Sequence, residues 1–317
     1  GKHSHAQAAM LTGMDQHPAA GADGVMVDTC GTGGDRSHTY NVSTLAALVV
    51  AGAGVKVAKH GNRAASSACG SADLLEALGV TLDLGPEGVS RCVREAGIGF
   101  FFAPRYHPAL RFAAAPRREL GIPTTFNFLG PLANPARVKR QVVGVSDPAM
   151  ANRIVRGLAA LGAKHAMVFF GHDGLDELTT TDVATVHQYR NGEHTTFLLD
   201  PTEFGVARST HDQLVGGDPA HNADMSRRVL AGESGAVRDI VVLNAAAALV
   251  VADLVTDIPE GLVVAAASID SGAAATAPTA WSSSRATARD LTSCCCVRTR
   301  ASSIRAWLTG GKTSRLA

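Results

Sequence analysis

The stretch from Asp28 to Gly79 limits what this chain can fold into more than any other part of it. It opens on Val25-Met-Val-Asp28 and Gly31-Thr-Gly-Gly-Asp35, passes through Asn41-Val-Ser-Thr44 and an apolar run to Gly54, then gives Val55-Lys-Val-Ala58, Lys59-His-Gly-Asn-Arg63 and Ser71-Ala-Asp-Leu-Leu-Glu-Ala-Leu78. Short apolar strands run into glycine and hydroxyl loops that lead to helices. Such loops leave backbone N–H groups exposed, and exposed N–H groups hold phosphate.

The alternation continues beyond this stretch. The pattern predicts strands at Val25–Asp28, Val55–Ala58, Leu82–Leu84, Ile98–Phe102, Val142–Val145 and Ala166–Phe170. It predicts helices at Ser43–Gly52, Ser71–Leu78, Pro86–Glu95, His107–Leu120 (bent or broken by Pro116), Pro148–Leu161, Asp224–Leu230 and Val237–Val255. The last is apolar nearly all round and so is expected to be buried. Gly130–Pro135 reads as a loop. Val183–Arg190 and His194–Leu199 flank Asn191-Gly192-Glu193 and read as an antiparallel hairpin. The expected fold class is α/β, with a largely parallel sheet flanked by helices.

Composition narrows the function. The chain has 317 residues, 33 glycines and 5% aromatics, which suits an α/β enzyme with many tight turns. Net charge is +1, but residues 276–317 carry seven Lys or Arg and one acid, Asp290; of the 29 bases and 28 acids, 22 and 27 precede them. The body is therefore mildly acidic, against a broad basic face for nucleic acid. No apolar run approaches the roughly 20 residues of a membrane span. Residues 1–24 lack the apolar core of a signal peptide, so a cytoplasmic location is expected. Cys30, Cys69 and Cys92 are widely spaced and read as buried reduced thiols, while Cys294, Cys295 and Cys296 are adjacent and lack the spacing of a zinc site.

Three polar loops end successive strands and converge on one sheet edge in a doubly wound fold. Gly31–Asp35 lets the backbone approach a ligand closely, although a glycine turn after a strand is also a plain turn. Asn41–Thr44 sits where a helix starts, where an ordinary N-cap is the alternative. Lys59–Arg63 places two cations and an Asn around a glycine just after a buried strand. Asp176-Glu177 is either a solvated acid pair or a magnesium pair serving a bound phosphate.

These motifs, together with Gly70-Ser71-Ala-Asp73, Phe102-Ala-Pro-Arg-Tyr-His107-Pro, Arg117-Arg-Glu-Leu-Gly121, Asn127-Phe-Leu-Gly-Pro-Leu-Ala-Asn134-Pro and Asp173-Gly-Leu-Asp-Glu-Leu-Thr179, resemble anthranilate phosphoribosyltransferase. The resemblance runs in consistent order from about Asp23 to about Ala275. It implies transfer of phosphoribose from 5-phosphoribosyl-1-pyrophosphate to the amine of anthranilate, in tryptophan biosynthesis. It further implies that Gly31, Gly34, Asp35, Thr39, Asn41, Val42, Ser43, Thr44, Lys59, His60, Gly61, Asn62, Arg63, Ala64, Ala65, Ser66, Ser67 and Ser71 line the donor site, Lys59 stabilising the leaving group. Gly31, Asn62 and Arg117 would contact anthranilate, with His60, Pro104 and His107 along its approach. Ser43, Asp176 and Glu177 would hold Mg²⁺, as two ions. No residue is expected as a general acid or base, because an aromatic amine is already neutral at pH 7.

The implied architecture is nucleoside phosphorylase/phosphoribosyltransferase-like: a smaller all-helical domain that forms a homodimer, and an α/β domain, with substrates in the hinge. On that pattern residues 1–24 are expected to be a remnant of the helical domain or a linker. Residues 25–275 would be the α/β domain, and 276–317 a basic, disordered tail, read from a shifted frame after Gly272-Ala-Ala-Ala275. Two other readings stand beside this one. Pyrimidine nucleoside phosphorylase shares the architecture but needs neither Arg117 nor a metal pair. A non-catalytic remnant that binds phosphoribosyl pyrophosphate or nucleic acid is favoured by the basic tail alone.

Overall fold

The computed structural model describes residues 24–277 apart from 36, 65–66, 111, 113–118 and 120–125. The expectations for residues 1–23, Ala65, Ser66, Pro116, Arg117 and the tail from 278 lie outside the described residues, as does most of the expected helix His107–Leu120. Of that stretch the described residues show a 3₁₀ turn at Pro108–Leu110 and helical backbone at Phe112 and Glu119, and a short helix at Ala103–Tyr106 precedes it.

A seven-stranded sheet runs in the order β3-β2-β1-β4-β5-β6-β7. Its strands are β1 (Met26–Gly31), β2 (Lys56–Gly61), β3 (Ile98–Phe102), β4 (Arg140–Gly144), β5 (His165–Gly171), β6 (Ala184–Arg190) and β7 (Glu193–Leu199). β3, β2, β1, β4 and β5 pair in parallel; β5, β6 and β7 pair antiparallel. The β6–β7 hairpin turns through Asn191 and Gly192 at φ +49° and +99°, the two positive values of a type I′ turn.

Side chains alternate across this sheet. Val57, Phe100, Val142, Met167 and Phe169 face one core, shared with α1 (Val42–Gly52), α8 (Ala236–Val251) and α9 (Ile258–Asp270). Ala58 and Phe101 face α3 (Pro86–Glu95), and Val143, Ala166 and Val168 face α6 (Pro148–Ala160). With helices on both faces, the central strands are apolar on both sides, as a parallel sheet requires. α2 (Ser71–Ala77) packs on α7 (Pro219–Leu230) through Leu74 and Ala223. The short helix at Ala103–Tyr106 is α4, and α5 (Phe126–Leu129) precedes a 3₁₀ turn at Pro131–Ala133, inside the stretch expected to be a loop.

Four sequence expectations need correction. Leu82–Leu84 is not a strand: Leu84 N–H donates to the Leu82 carbonyl, curling the chain into a γ-turn that drops Leu82 into the core. α8 stops at Val251, short of Val255, because Asp253 adopts φ +55° and Leu254 N–H reaches back to Leu249 O, a Schellman ending. α7 begins at Pro219 rather than Asp224, where the Asp218 carboxylate accepts from His221 N at 2.8 Å. α9, absent from the sequence expectation, starts the same way: Asp257 accepts from Glu260 N, and Pro259 follows in the first turn.

Candidate active site

Four neighbouring parallel strands, β2, β1, β4 and β5, end in glycine at the same edge, at Gly61, Gly31, Gly144 and Gly171. For Gly31, Gly144 and Gly171 the reason lies in the loop after β5, and for Gly61 in the Phe100 ring. This loop folds back across the strand ends so closely that a Cβ on Gly31 would collide with the Asp176 carboxylate, and one on Gly144 with the Asp176 carbonyl. The loop is braced from within by Asp173, which accepts from Leu175 N at 3.1 Å, from Thr179 Oγ1 at 2.6 Å and from Thr181 Oγ1.

The fold-back brings the two acids to the glycine loop and to the start of α1. Gly33 N–H donates to Asp176 Oδ2 at 2.7 Å, and Ser43 N–H to Glu177 Oε1 at 3.1 Å. Glu177 thus satisfies an N–H at the start of α1, as an N-cap side chain would. Asn41 occupies the N-cap position but sends its amide to Cys69 O (2.9 Å) and accepts from Asn222 Nδ2 (2.9 Å). Thr39 pairs with Val215 in an isolated bridge, which closes the 205–217 segment over the same corner.

Electrostatically the pair has little positive charge to offset it, the Lys59 ammonium acting in part on Glu177. Both acids are only 8% exposed. Burial, with the charge of Asp35, raises the Asp176 carboxyl to about 7, and burial with the charge of Asp176 raises Glu177 well above the usual range. Two carboxylates held together out of water call for a cation. Among the described residues no group of three or more His, Cys, Asp or Glu side chains is arranged for a metal. The residues that could hold one are the two carboxylates and the Ser43 hydroxyl, a set that leaves places for ligand and water oxygens. That set fits magnesium, which is held by few protein ligands and by substrate phosphate.

Lys59 stands behind this pair. Its side chain is buried (1% exposed), and its ammonium donates to Thr29 O and, at 3.4 Å, to Ser43 Oγ. Burial lowers its pKa, opposed by the charges of Asp28 and Glu177. The ammonium lies in the floor of the site, where its charge acts on Glu177. Two residues expected to line the donor site, Val42 and Thr44, are corrected. Their side chains enter the core, and their N–H groups are used on Tyr40 O and Asn41 O.

The loop after β2 brings Gly61 and Ser71 side by side, since a Cβ on Gly61 would stand 3.4 Å from Ser71 Cβ. Asn62 is exposed, its carbonyl taking Ala72 N and its side chain taking Arg63 N. Arg63 lies over the Phe102 ring and turns to α2, pairing with Asp73 at 2.9 Å and Glu76 at 2.6 Å. Ala64 N and Gly70 N both donate to Asp73. Ser67 donates to Cys69 O at 3.3 Å. Cys69 and Cys92 are buried reduced thiols as expected, whereas Cys30 is only half-buried, next to the open glycine loop.

On the far side of β2, His60 and His107 meet edge to face, with ring centroids 5.0 Å apart. His60 Nδ1 faces Gly130 O at 3.1 Å. Burial and the neighbouring His107 push its pKa down to about 3, so the ring is neutral with its proton on Nδ1. Pro104 is exposed one helical turn before His107. Beneath, the fully buried Asp28 accepts from His60 N (3.2 Å) and Asn134 Nδ2 (2.8 Å), tying β1, β2 and the 130–134 turn together.

Sequence reasoning gave no role to Asp28, Asp173 or Gly144, nor to Asn244 on α8, whose amide grips Leu178. A signal was present for two of them: an acid in an apolar strand, and an Asn in an apolar helix. Buried polar groups occur where something needs them.

Comparison with known proteins adds to this geometry. Residues 23–275 match the family model described as glycosyl transferase family, a/b domain. An anthranilate phosphoribosyltransferase from Rhodococcus jostii (strain RHA1) is 55% identical over 265 residues, 82% of this chain and 73% of the relative. The crystal structure of anthranilate phosphoribosyltransferase from Thermus thermophilus superposes with TM-score 0.83 at 42% identity, over 89% of this chain and 84% of that one. The Saccharomyces cerevisiae enzyme in complex with PRPP and Mg superposes with TM-score 0.79 at 30% identity, over 89% of this chain and 78% of that one.

Proposed function

The chain belongs to the glycosyl transferase family, among its anthranilate phosphoribosyltransferases, and on that premise we propose how its site does this work. The reaction transfers phosphoribose from 5-phosphoribosyl-1-pyrophosphate to anthranilate, giving N-(5-phosphoribosyl)anthranilate and pyrophosphate, in tryptophan biosynthesis. The anthranilate nitrogen bonds to C1 of the ribose, the C1–O bond to pyrophosphate breaks, and the amine proton leaves with the departing phosphate or to water.

What supports the assignment of the site is one observation: Asp176 and Glu177, buried and short of positive charge, meet the glycine loop and the start of α1. Asp176, Glu177 and Ser43 Oγ would hold magnesium, as two ions, which supplies positive charge to the pyrophosphate as it leaves. Gly31, Gly34, Asp35 and Ser71, with the 59–67 loop, line the donor. Lys59 adds a fixed positive field beneath the phosphates without touching them. Gly31, Asn62 and Arg117 would contact anthranilate, with Pro104 and His107 along its approach; the guanidinium would take its carboxylate bidentately and aim the amine at C1. The neutral ring of His60 keeps the acceptor passage free of a second positive charge. No general base is required.

We further assign residues 25–275 to the α/β domain and place the enzyme in the cytoplasm as a homodimer; among the described residues no helix is long and apolar enough to cross a membrane. The test is loss of anthranilate fluorescence on adding phosphoribosyl pyrophosphate and Mg²⁺ to the purified chain, with and without EDTA. Turnover that EDTA stops is expected. Turnover that survives EDTA would remove the metal from the reading, and no turnover by a folded chain would remove the transferase.

A further inference from the structure

We propose that Asn244 is a positioning residue for the reaction, fixing from behind the site where Glu177 presents its carboxylate. The proposal rests on the reading that Asp176 and Glu177 hold the cation.

α8 runs Ile240-Val-Val-Leu-Asn244-Ala-Ala-Ala-Ala-Leu249, and Asn244 is the one polar side chain in that run. Asn is a poor helix former, and a carboxamide in an apolar core is costly unless each polar atom finds a partner. Here each does. Oδ1 accepts from Leu178 N at 3.0 Å, while Nδ2 donates to Leu178 O at 2.9 Å and to Ile240 O at 2.9 Å. The side chain thus presents to a single loop residue the paired bonds a neighbouring strand would offer. The two Leu178 groups belong to the peptide planes on either side of it, and the first of these planes is shared with Glu177. Holding that plane leaves Glu177 little beyond its own side-chain torsions to vary.

Three further observations make this more than satisfaction of a buried loop. Asn244 and Glu177 line the same small cavity, together with Thr29, Ser43 and Phe169. The loop is pinned on both flanks, by Asp173 before the acids and by Asn244 after them, so that the segment between carries the two carboxylates. The Glu177 carboxylate is at the same time aligned by Ser43 N. A ligand backed by a rigid, fully satisfied partner is the arrangement in which removing the partner weakens metal binding about 10–100-fold.

The experiment uses Mn²⁺, read by electron paramagnetic resonance with phosphoribosyl pyrophosphate present, on the full chain and on Asn244→Leu, Asn244→Ser, Glu177→Gln, the Asn244→Leu/Glu177→Gln pair and Val250→Ala. The last removes buried volume from α8 six residues beyond Asn244. Both Asn244 variants are expected to bind Mn²⁺ about tenfold or more weakly. In turnover, half-saturation by Mg²⁺ should rise likewise while kcat returns at high Mg²⁺. The double variant should bind no more weakly than Glu177→Gln alone, because Asn244 acts through Glu177. If Glu177→Gln binds like the parent, the reading of the acid pair falls and takes this proposal with it. If Glu177→Gln loses Mn²⁺ but the Asn244 variants keep it within twofold, this proposal alone falls. Equal weakening in Val250→Ala, or failure of both Asn244 variants to fold, would make Asn244 a core residue and overturn it.

Discussion

Gly144 ends β4 against the main chain of Asp176, in a space where no β-carbon fits. Alanine is tolerated in strands, so Gly144→Ala should leave β4 in place and push the acid loop outward instead. A misplacement of about 1 Å at the reacting centre costs on the order of 10²-fold, and overpacking costs about 1–3 kcal/mol. We expect turnover to fall by about that factor, Tm to drop, and hydrogen exchange to rise over residues 172–181; an unchanged rate would mean that the loop has slack. At this scale the sequence was legible where polar residues cluster. The glycine loop, Ser43, the 59–63 segment and the acid pair could all be picked out from their types and order. Gly144 could not be picked out, since the atom that forbids its side chain belongs to a residue 32 positions later. Val42 and Thr44 misled for a related reason: a motif says which residues stand together, and helical periodicity decides which of them face outward.

Among the elements, the edge of the sheet opposite the glycine ends is held by one acid. Asp253, in the left-handed position that ends α8, meets Arg140 of β4 at 2.5 Å, Arg190 of β6 at 3.1 Å and His165 Nδ1 of β5 at 3.4 Å. Burial, and then the nearby Arg190, hold the His165 pKa down to about 4. Between about pH 6.5 and 4 the unfolded chain therefore takes up a proton at this histidine that the folded chain refuses. Stability falls as pH falls through that window. His165→Asn, which keeps a donor toward Asp253 and cannot titrate, should flatten the decline in Tm between pH 7 and 4.5 by about 2–4 °C, the equivalent of roughly 1 kcal/mol. A parallel decline would show that His165 is not responsible. Elements were legible where periodicity was long, as in α3 and α6. They were misread where a cap or a tight turn decides the matter: the Asp218-Pro219 and Asp257-x-Pro259 starts, the γ-turn at Leu84 and the left-handed Asp253.

On the scale of the whole molecule, the site joins parts of the chain that are far apart in sequence. Glu177 reaches back 134 residues to Ser43, and Asp176 reaches back 143 to Gly33. Contacts of this span form late, because the closure entropy of long loops precedes any gain from them. Refolding from denaturant should restore far-UV helix signal before it restores anthranilate turnover; coincident recovery would argue against late assembly. The same reach sets a timetable for synthesis. Because Leu178 is held by Asn244, β1, α1, β2 and the acid loop can all have emerged from the ribosome while the loop still lacks its brace. A nascent chain stopped before residue 244 would carry nearly every residue of the chemistry but not the brace behind the acids, so the site is completed only when a stretch of almost featureless apolar helix arrives.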